Sequence, residues 1–201
     1  MGLVDDAPRQ HIDTREQWRA WLEAHHSGST GVFVVSWRPA TGRDAVPYAD
    51  LVEEALCFGW VDSRQVRLDD ERTMLWFTPR RGGSGWARPN KERVDRLIAN
   101  GRMHAAGLAV IEAARADGSW ELLDSVENLE VPRDLAEAFA LRPGAAENFA
   151  GFSRSVRRGI LQWIATAKTS PTRARRVTET AERAAVGEKA NQPRASPPGP
   201  S

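Results

Sequence analysis

The chain has 201 residues, 41% of them hydrophobic, with a net charge of +1 at pH 7 and one Cys. This length suits one domain, or one domain with a small appendage, and a core of this size needs no metal or disulfide to fold. The single Cys excludes a disulfide framework within the chain, and no apolar run approaches the roughly 18 residues of a membrane span. Charges interrupt every apolar run near the N-terminus, so we expect no secretory signal and a cytoplasmic location.

Helices and strands alternate in the first part of the chain. Residues 1–13 show little pattern and predict a flexible arm. Thr14 and Gln17 have the spacing of a capping box, which predicts a helix from there to about His26. The β-branched and aromatic residues that follow, 32–37, predict a strand.

A second helix is predicted over residues 48–58. Its Leu, Val and Ala side chains share one face, and Glu53, Glu54 and Cys57 lie on the opposite, polar face. A neighbouring carboxylate and a helix C-terminus both disfavour a thiolate. Cys57 is therefore predicted to be an unreactive, partly packed thiol.

A β-hairpin is predicted from residues 60–68 and 72–78, with a tight polar connection around Asp70. A turn centred there places Asp62 opposite Thr78, with Arg80 one diagonal step away. The expected result is a carboxylate and a guanidinium that meet where the next loop begins.

That loop, residues 80–90, contains three Gly, is basic, and leads into a predicted helix N-terminus. Inward-pointing backbone N–H groups and a helix N-terminus both favour anions. The predicted ligand site comprises Asp62, Arg80, Arg81, Ser84, Trp86 and Asn90, with Lys168 and Arg173 as contributors if the C-terminal helices fold back over the loop. The alternative interpretation is an ordinary Gly-rich loop with solvated Arg side chains.

The rest of the chain is predicted to be helical. An α+β domain over residues 14–118 is expected to precede a helical C-terminal module over 119–186, and the Pro-rich residues 187–201 predict a disordered tail. The fold class is therefore α+β, with a small antiparallel sheet packed with helices and then the helical module.

A basic stretch lies in the C-terminal module, where residues 148–178 carry seven Arg or Lys and no Asp or Glu. The first interpretation is a solvated helix face that pairs with the acidic N-terminal domain. The alternative is binding of nucleic acid, although the stretch has no recognised reader motif. The four His lack metal-ligand spacing, so neither a metal nor a cofactor is predicted.

Two groups of motifs resemble one known family. The first is Ala55–Asp62 with Phe77–Arg81, Ser84, Trp86 and Asn90; the second is Trp163-Ile164, Ala167-Lys168, Thr172-Arg173 and Arg176. They are similar to the YdeI/OmpD-associated, or bacteriocin-protection, family over residues 14–187. The resemblance implies a small bacterial α+β protein associated with tolerance of bacteriocins or antimicrobial peptides, and it implies no reaction and no catalytic residues.

The leading hypothesis is a non-enzymatic protection or stress-tolerance protein that binds an anionic small molecule or protein partner at the Gly-rich loop. A second hypothesis is an enzyme for an anionic metabolite, with Asp62 as general base and Arg80 as anion clamp. A third is nucleic-acid binding through the basic helices, which predicts an affinity that falls steeply with salt.

Overall fold

The computed structural model describes residues 7–191 and has the predicted α+β architecture. The chain forms two compact units, of which the first ends at Trp120 and the second begins at Glu121. The sequence placed this boundary two residues earlier, after residue 118. Strands are found in the first unit, and the described part of the second unit is helical.

The sheet of the first unit is mixed, with strand order β1-β2-β4-β3. Its strands are β1 (Arg9–His11), β2 (Val32–Trp37), β3 (Trp60–Arg67) and β4 (Arg72–Pro79). The pairs β2–β4 and β3–β4 are antiparallel, as predicted, but β1 runs parallel to β2. The prediction of a purely antiparallel sheet is therefore wrong at this edge.

Strand β1 lies in the segment that the sequence predicted as a flexible arm. Its backbone pairs with β2, and the amide of Ile12 donates to the Val35 carbonyl at 3.1 Å. The Ile12 side chain is only 2% exposed. A strand this short carries no alternating pattern, so its partner on β2 could not be recognised locally.

Four α-helices belong to the described part of the first unit: α1 (Arg15–His25), α2 (Tyr48–Cys57), α3 (Arg88–Ala99) and α4 (Ala105–Ala116). The capping box at Thr14 is present and confirms the predicted start of α1. These helices and one face of the sheet share a core that includes Trp18, Trp60 and Phe77. The Trp18 indole donates to the Leu51 carbonyl at 3.0 Å, which joins α1 to α2.

Helix α2 is more deeply buried than its sequence predicted. Glu54 and Cys57, both expected on a polar face, are each 0% exposed. Helix α2 packs against α1, α3, α4 and β3, so it has no broad solvent face. Buried charge needs partners, and Glu54 accepts hydrogen bonds from the guanidinium groups of Arg15, Arg19 and Arg102.

The second unit contains α5 (Asp124–Glu127), α6 (Arg133–Ala140), α7 (Ala145–Gly151), α8 (Arg154–Ala165) and α9 (Ser170–Ala185). Helix α9 packs against α6, α7 and α8. Ala190, within the segment predicted as a disordered tail, is 1% exposed and belongs to the core of this unit. The rest of the predicted tail, residues 192–201, lies outside the described residues.

Candidate anion site

A small cavity lies beside the loop that follows β4. Its volume is about 110 Å³. Four of the predicted site residues line it, and α4 with the segment after it provides the opposite wall; the polar residues around the cavity are Arg80, Arg81, Ser84, Trp86, Asp117 and Ser119. We call this space the loop cavity. All of its lining residues belong to the first unit.

Arg80 is the most constrained side chain of the loop cavity. Its guanidinium carbon lies 3.8 Å from the centroid of the Trp86 ring. One terminal nitrogen donates to the Gly85 carbonyl at 2.6 Å and more weakly to the Ser84 carbonyl at 3.4 Å. The Nε atom is buried and has no hydrogen-bond partner. The loop therefore holds the guanidinium in place through neutral groups and leaves one donor unused.

The charge of Arg80 has no counter-ion among residues 7–191, since no carboxylate there forms an ion pair with it. Burial lowers the pKa of Arg80 to about 10, which is the direction expected when a cation is desolvated without a compensating negative charge. The group still remains cationic at neutral pH. A bound anion would supply the missing compensation.

Asp117 lines the same cavity, and its carboxylate is already engaged. It accepts hydrogen bonds from the amides of Ser119 at 2.9 Å and Gly83 at 3.1 Å. A hydrogen bond from the Ser119 side chain, and then the bonds from these two amides, lower the pKa of Asp117. The sequence predicted free, inward-pointing amides in the Gly-rich loop, but the Gly83 amide is occupied by this carboxylate. Contacts to an anion therefore fall mainly to the arginine side chains.

Asp62 does not meet Arg80. The predicted register holds near the turn, but a bulge between Asp62 and Gln65 shifts it by one residue, so Asp62 lies opposite Phe77 rather than Thr78. The Asp62 carboxylate accepts a hydrogen bond from the Tyr48 hydroxyl at 2.7 Å. Partial burial of that hydroxyl, together with this bond, raises the pKa of Tyr48 to about 12. Asp62 is thus part of a contact between β3 and α2.

Two family models match the chain, one in each half. Residues 10–110, slightly more than half of the chain, match the model described as Domain of unknown function (DUF8412). The protein belongs to the DUF8412 family. Residues 128–187 match the model described as Bacteriocin-protection, YdeI or OmpD-Associated. Comparisons with curated proteins and with solved structures give no match.

These matches confirm the recognised family and locate it. The YdeI/OmpD-associated match contains the second group of motifs, from Trp163 to Arg176. The first group, from Ala55 to Asn90, falls inside the DUF8412 match. Most of the residues that line the loop cavity lie within the DUF8412 match, and the basic helices α8 and α9 lie within the YdeI/OmpD-associated match. We call the second unit, which contains the latter match, the YdeI/OmpD-associated unit.

The other predicted site residues have partners or positions of their own. Asn90 accepts a hydrogen bond from Arg93 at 3.1 Å within α3. Arg173, in the YdeI/OmpD-associated unit, donates to both carboxylate oxygens of Asp134, and this bidentate bond lowers the pKa of Asp134. Lys168 is exposed between α8 and α9. A contribution of Lys168 and Arg173 to the ligand site stays a prediction.

Several cations of the basic stretch have partners inside their own unit. Arg158 forms an ion pair with Glu127 at 2.6 Å, and Arg154 donates to the Glu127 carbonyl at 2.8 Å. Arg176 lies over the Trp163 ring and donates to the Trp163 carbonyl. The sequence expected these charges to pair with the N-terminal domain, whereas these partners are local. A surface for nucleic acid keeps fewer free cations than the sequence suggested.

Histidines make local contacts that the sequence did not reveal. His26 and His104 lie with ring centroids 5.0 Å apart, and His104 stacks on Phe58. The His104 ring also accepts a hydrogen bond from the Ala106 amide and so caps α4.

Within residues 7–191, no group of three or more His, Cys, Asp or Glu is placed to hold a metal ion. No helix in that range is long and apolar enough to cross a membrane.

Cys57 should react very slowly with iodoacetamide in the native protein. Burial, reinforced by the nearby charge of Glu54, raises the pKa of its thiol from 9.0 to about 11. The unfolded chain loses this proton first, so we expect the stability contributed by the thiol to fall as the pH rises from about 9 to about 11. Alkylation rates measured against pH, in native buffer and in urea, check the accessibility and the raised pKa of the thiol. Equal rates in both conditions would contradict it.

Proposed function

We propose that this DUF8412 protein is a non-enzymatic binding protein that holds a compact oxyanion, or the anionic group of a larger partner, in the loop cavity. The observation that carries the proposal is Arg80, a largely buried cation that lines a cavity and has no ionic partner among the described residues. We further propose that this binding serves tolerance of bacteriocins or related stress. The match of residues 128–187 to a family described by bacteriocin protection supports that role.

The volume of the loop cavity limits what it can hold. About 110 Å³ equals the space of three to four water molecules, at about 30 Å³ each in the liquid. A phosphate, a sulfate or a carboxylate fits this space, whereas a nucleoside or a sugar does not. A larger ligand would place only its anionic group in the cavity, and the rest would extend along the exposed side of the loop near Arg81.

The side chains around Arg80 favour binding over catalysis. Asp62, the expected general base, does not line the loop cavity. Asp117 does line it, but its pKa is lowered and its oxygens accept amide hydrogen bonds, so it is a weak base. Neither carboxylate therefore combines a position in the cavity with the raised pKa that general acid–base chemistry at neutral pH needs.

Replacing Arg80 with Gln should weaken binding of inorganic phosphate at least tenfold. The change removes the cation but keeps an amide donor for the loop carbonyls. We expect the stability of the unliganded protein to change by no more than about 1 kcal/mol, because the lost hydrogen bonds are offset by removal of a desolvated charge. Calorimetric titration and phosphate-dependent thermal shifts measure both quantities.

Arg64→Gln is the matched control, since Arg64 is an exposed cation on β3 outside the loop cavity. It should bind phosphate as the wild type does. Asp117→Asn, which removes a negative charge from the cavity, should bind phosphate more tightly than the wild type. A large loss of stability in unliganded Arg80→Gln, or unchanged phosphate binding, would overturn the proposal.

The proposed role is tested by comparing the survival of bacteriocin-exposed cells that carry the wild-type protein with the survival of cells that carry Arg80→Gln.

A further inference from the structure

A second and larger cavity lies within the YdeI/OmpD-associated unit. Its volume is about 490 Å³, within the range of about 300–1,000 Å³ of small-molecule sites. Helices α6 and α7 and the segment before α6 form most of its wall, which is mainly apolar and includes Leu129, Val131, Phe139 and Phe149. We call it the helical cavity.

Arg157 on α8 brings an unpaired cation to this apolar space. It lines the helical cavity, its Nε atom is buried without a hydrogen-bond partner, and it forms no ion pair within residues 7–191. Its neighbours both have partners on Glu127: Arg158 forms an ion pair with the carboxylate, and Arg154 donates to the main-chain carbonyl. Of these three arginines, Arg157 is the one whose guanidinium has neither a hydrogen bond nor an ion pair within residues 7–191.

The other charged groups around the helical cavity do not supply the missing partner. Arg142 is engaged by Glu182 at 3.0 Å and by the Ala138 carbonyl. Glu147 lines the cavity from the first turn of α7 but is exposed and forms no ion pair with Arg157. Glu147 is therefore solvated, whereas the Nε atom of Arg157 is buried.

Leu129 enters this wall from the C-terminal end of α5. Its φ angle is 59°, in the left-handed region that bulky side chains rarely adopt. The conformation caps α5, because the Leu129 amide donates to the Val126 carbonyl at 3.0 Å and the Glu130 amide donates to the Ser125 carbonyl at 2.9 Å. This helix end places the Leu129 side chain in the cavity wall.

We propose that the helical cavity binds an amphipathic carboxylate, an alkyl or aryl acid whose apolar body contacts the Phe and Leu side chains and whose carboxylate pairs with Arg157. The apolar wall provides affinity through burial of the ligand body. The guanidinium selects an acid over a neutral or cationic analogue because only the acid neutralises it. This site is separate from the loop cavity, and neither proposal depends on the other.

Three probes with the same chain and different headgroups test this inference: decanoate, decanol and decyltrimethylammonium, each below its micellar concentration. The full-length protein should bind decanoate saturably and at least tenfold more tightly than either analogue. Arg157→Gln should reduce the decanoate affinity at least tenfold and leave the decanol affinity within about twofold. Backbone amide NMR shifts should map to α6, α7 and the start of α8.

Two further variants test whether decanoate binding depends on Arg157 in particular and on the space of the helical cavity. Arg175→Gln removes an exposed cation of the same unit outside the cavity and should leave decanoate binding unchanged. Ala150→Trp adds a large side chain to the cavity wall and should abolish binding of both decanoate and decanol. Equal affinities for the three probes, equal effects of Arg157→Gln and Arg175→Gln, or binding that survives Ala150→Trp would each overturn the proposal.

Discussion

Replacing Glu54 with Gln is expected to lower the free energy of unfolding of the first unit by about 3 kcal/mol. Glu54 is 0% exposed and accepts hydrogen bonds from three guanidinium groups. Two of them, Arg15 and Arg19, come from α1, and the third, Arg102, precedes α4. Removing the negative charge leaves these cations close together and partly desolvated, which is far more costly than losing an exposed ion pair.

The raised pKa of Arg15 supports this expectation. Burial alone would lower the pKa of Arg15, but its hydrogen bonds to Glu54 and Glu53 raise it above its ordinary value. Glu53→Gln is the control, because Glu53 is half-buried and forms ion pairs with Arg15 at 2.9 Å and Arg96 at 3.6 Å. It should cost no more than about 1 kcal/mol. Urea unfolding followed by Trp fluorescence measures both, and equal losses would contradict a special role for Glu54.

Local patterns were sufficient to predict most helices and strands. The capping box of α1, the β-branched run of β2 and the Pro at the start of α3 all act within a few residues. Each determines local geometry without help from distant parts of the chain. The Gly-rich loop was likewise recognised from its own sequence, and Arg80, Arg81, Ser84 and Trp86 do line one cavity.

The incorrect predictions depended on distant contacts. Glu54 has polar neighbours in sequence, yet its burial is set by α1, α3 and α4, which the helix pattern of α2 does not contain. Asp62 was placed by counting from the turn, and a bulge invisible in the sequence moved it by one position. The partner of Arg80 was then misassigned. A register can be extrapolated from a turn only as far as the first irregularity.

Arg80 and Arg157 illustrate why the two cavities were not equally visible. The sequence around Arg80 contains clustered Gly, Trp and Arg, which indicates a loop built around a cation. Arg157 lies in an ordinary amphipathic helix with a capped start, and nothing nearby distinguishes it from Arg154 or Arg158. Its difference arises from Glu127, whose carboxylate pairs with Arg158 and whose main-chain carbonyl accepts a hydrogen bond from Arg154. Only the tertiary structure shows that Arg157 is the one of these three with neither a hydrogen bond nor an ion pair within residues 7–191.

Gly107→Ala should destabilise the first unit by about 3 kcal/mol and also weaken binding at the loop cavity. A Cβ atom on Gly107 would lie 2.2 Å from the Cys57 carbonyl oxygen and 2.7 Å from its carbon. These are backbone atoms and cannot rotate away, so α4 must move from α2. That movement also strains the hydrogen bond from the His104 amide to the Cys57 carbonyl, now 3.1 Å long.

The same displacement reaches the proposed ligand site, because Val110, Ala113 and Ala114 of α4 line the loop cavity opposite Arg80. We therefore expect weaker phosphate binding by Gly107→Ala even at temperatures where the variant is fully folded. Gly28→Ala is the control, since no atom lies within 4 Å of its added Cβ, and its stability should change by less than about 1 kcal/mol. Urea unfolding and phosphate titration of both variants measure these effects. A Gly107→Ala variant as stable as the wild type would show that α4 is not held against α2 as described. A destabilised variant with unchanged phosphate affinity would show that α4 does not shape the site.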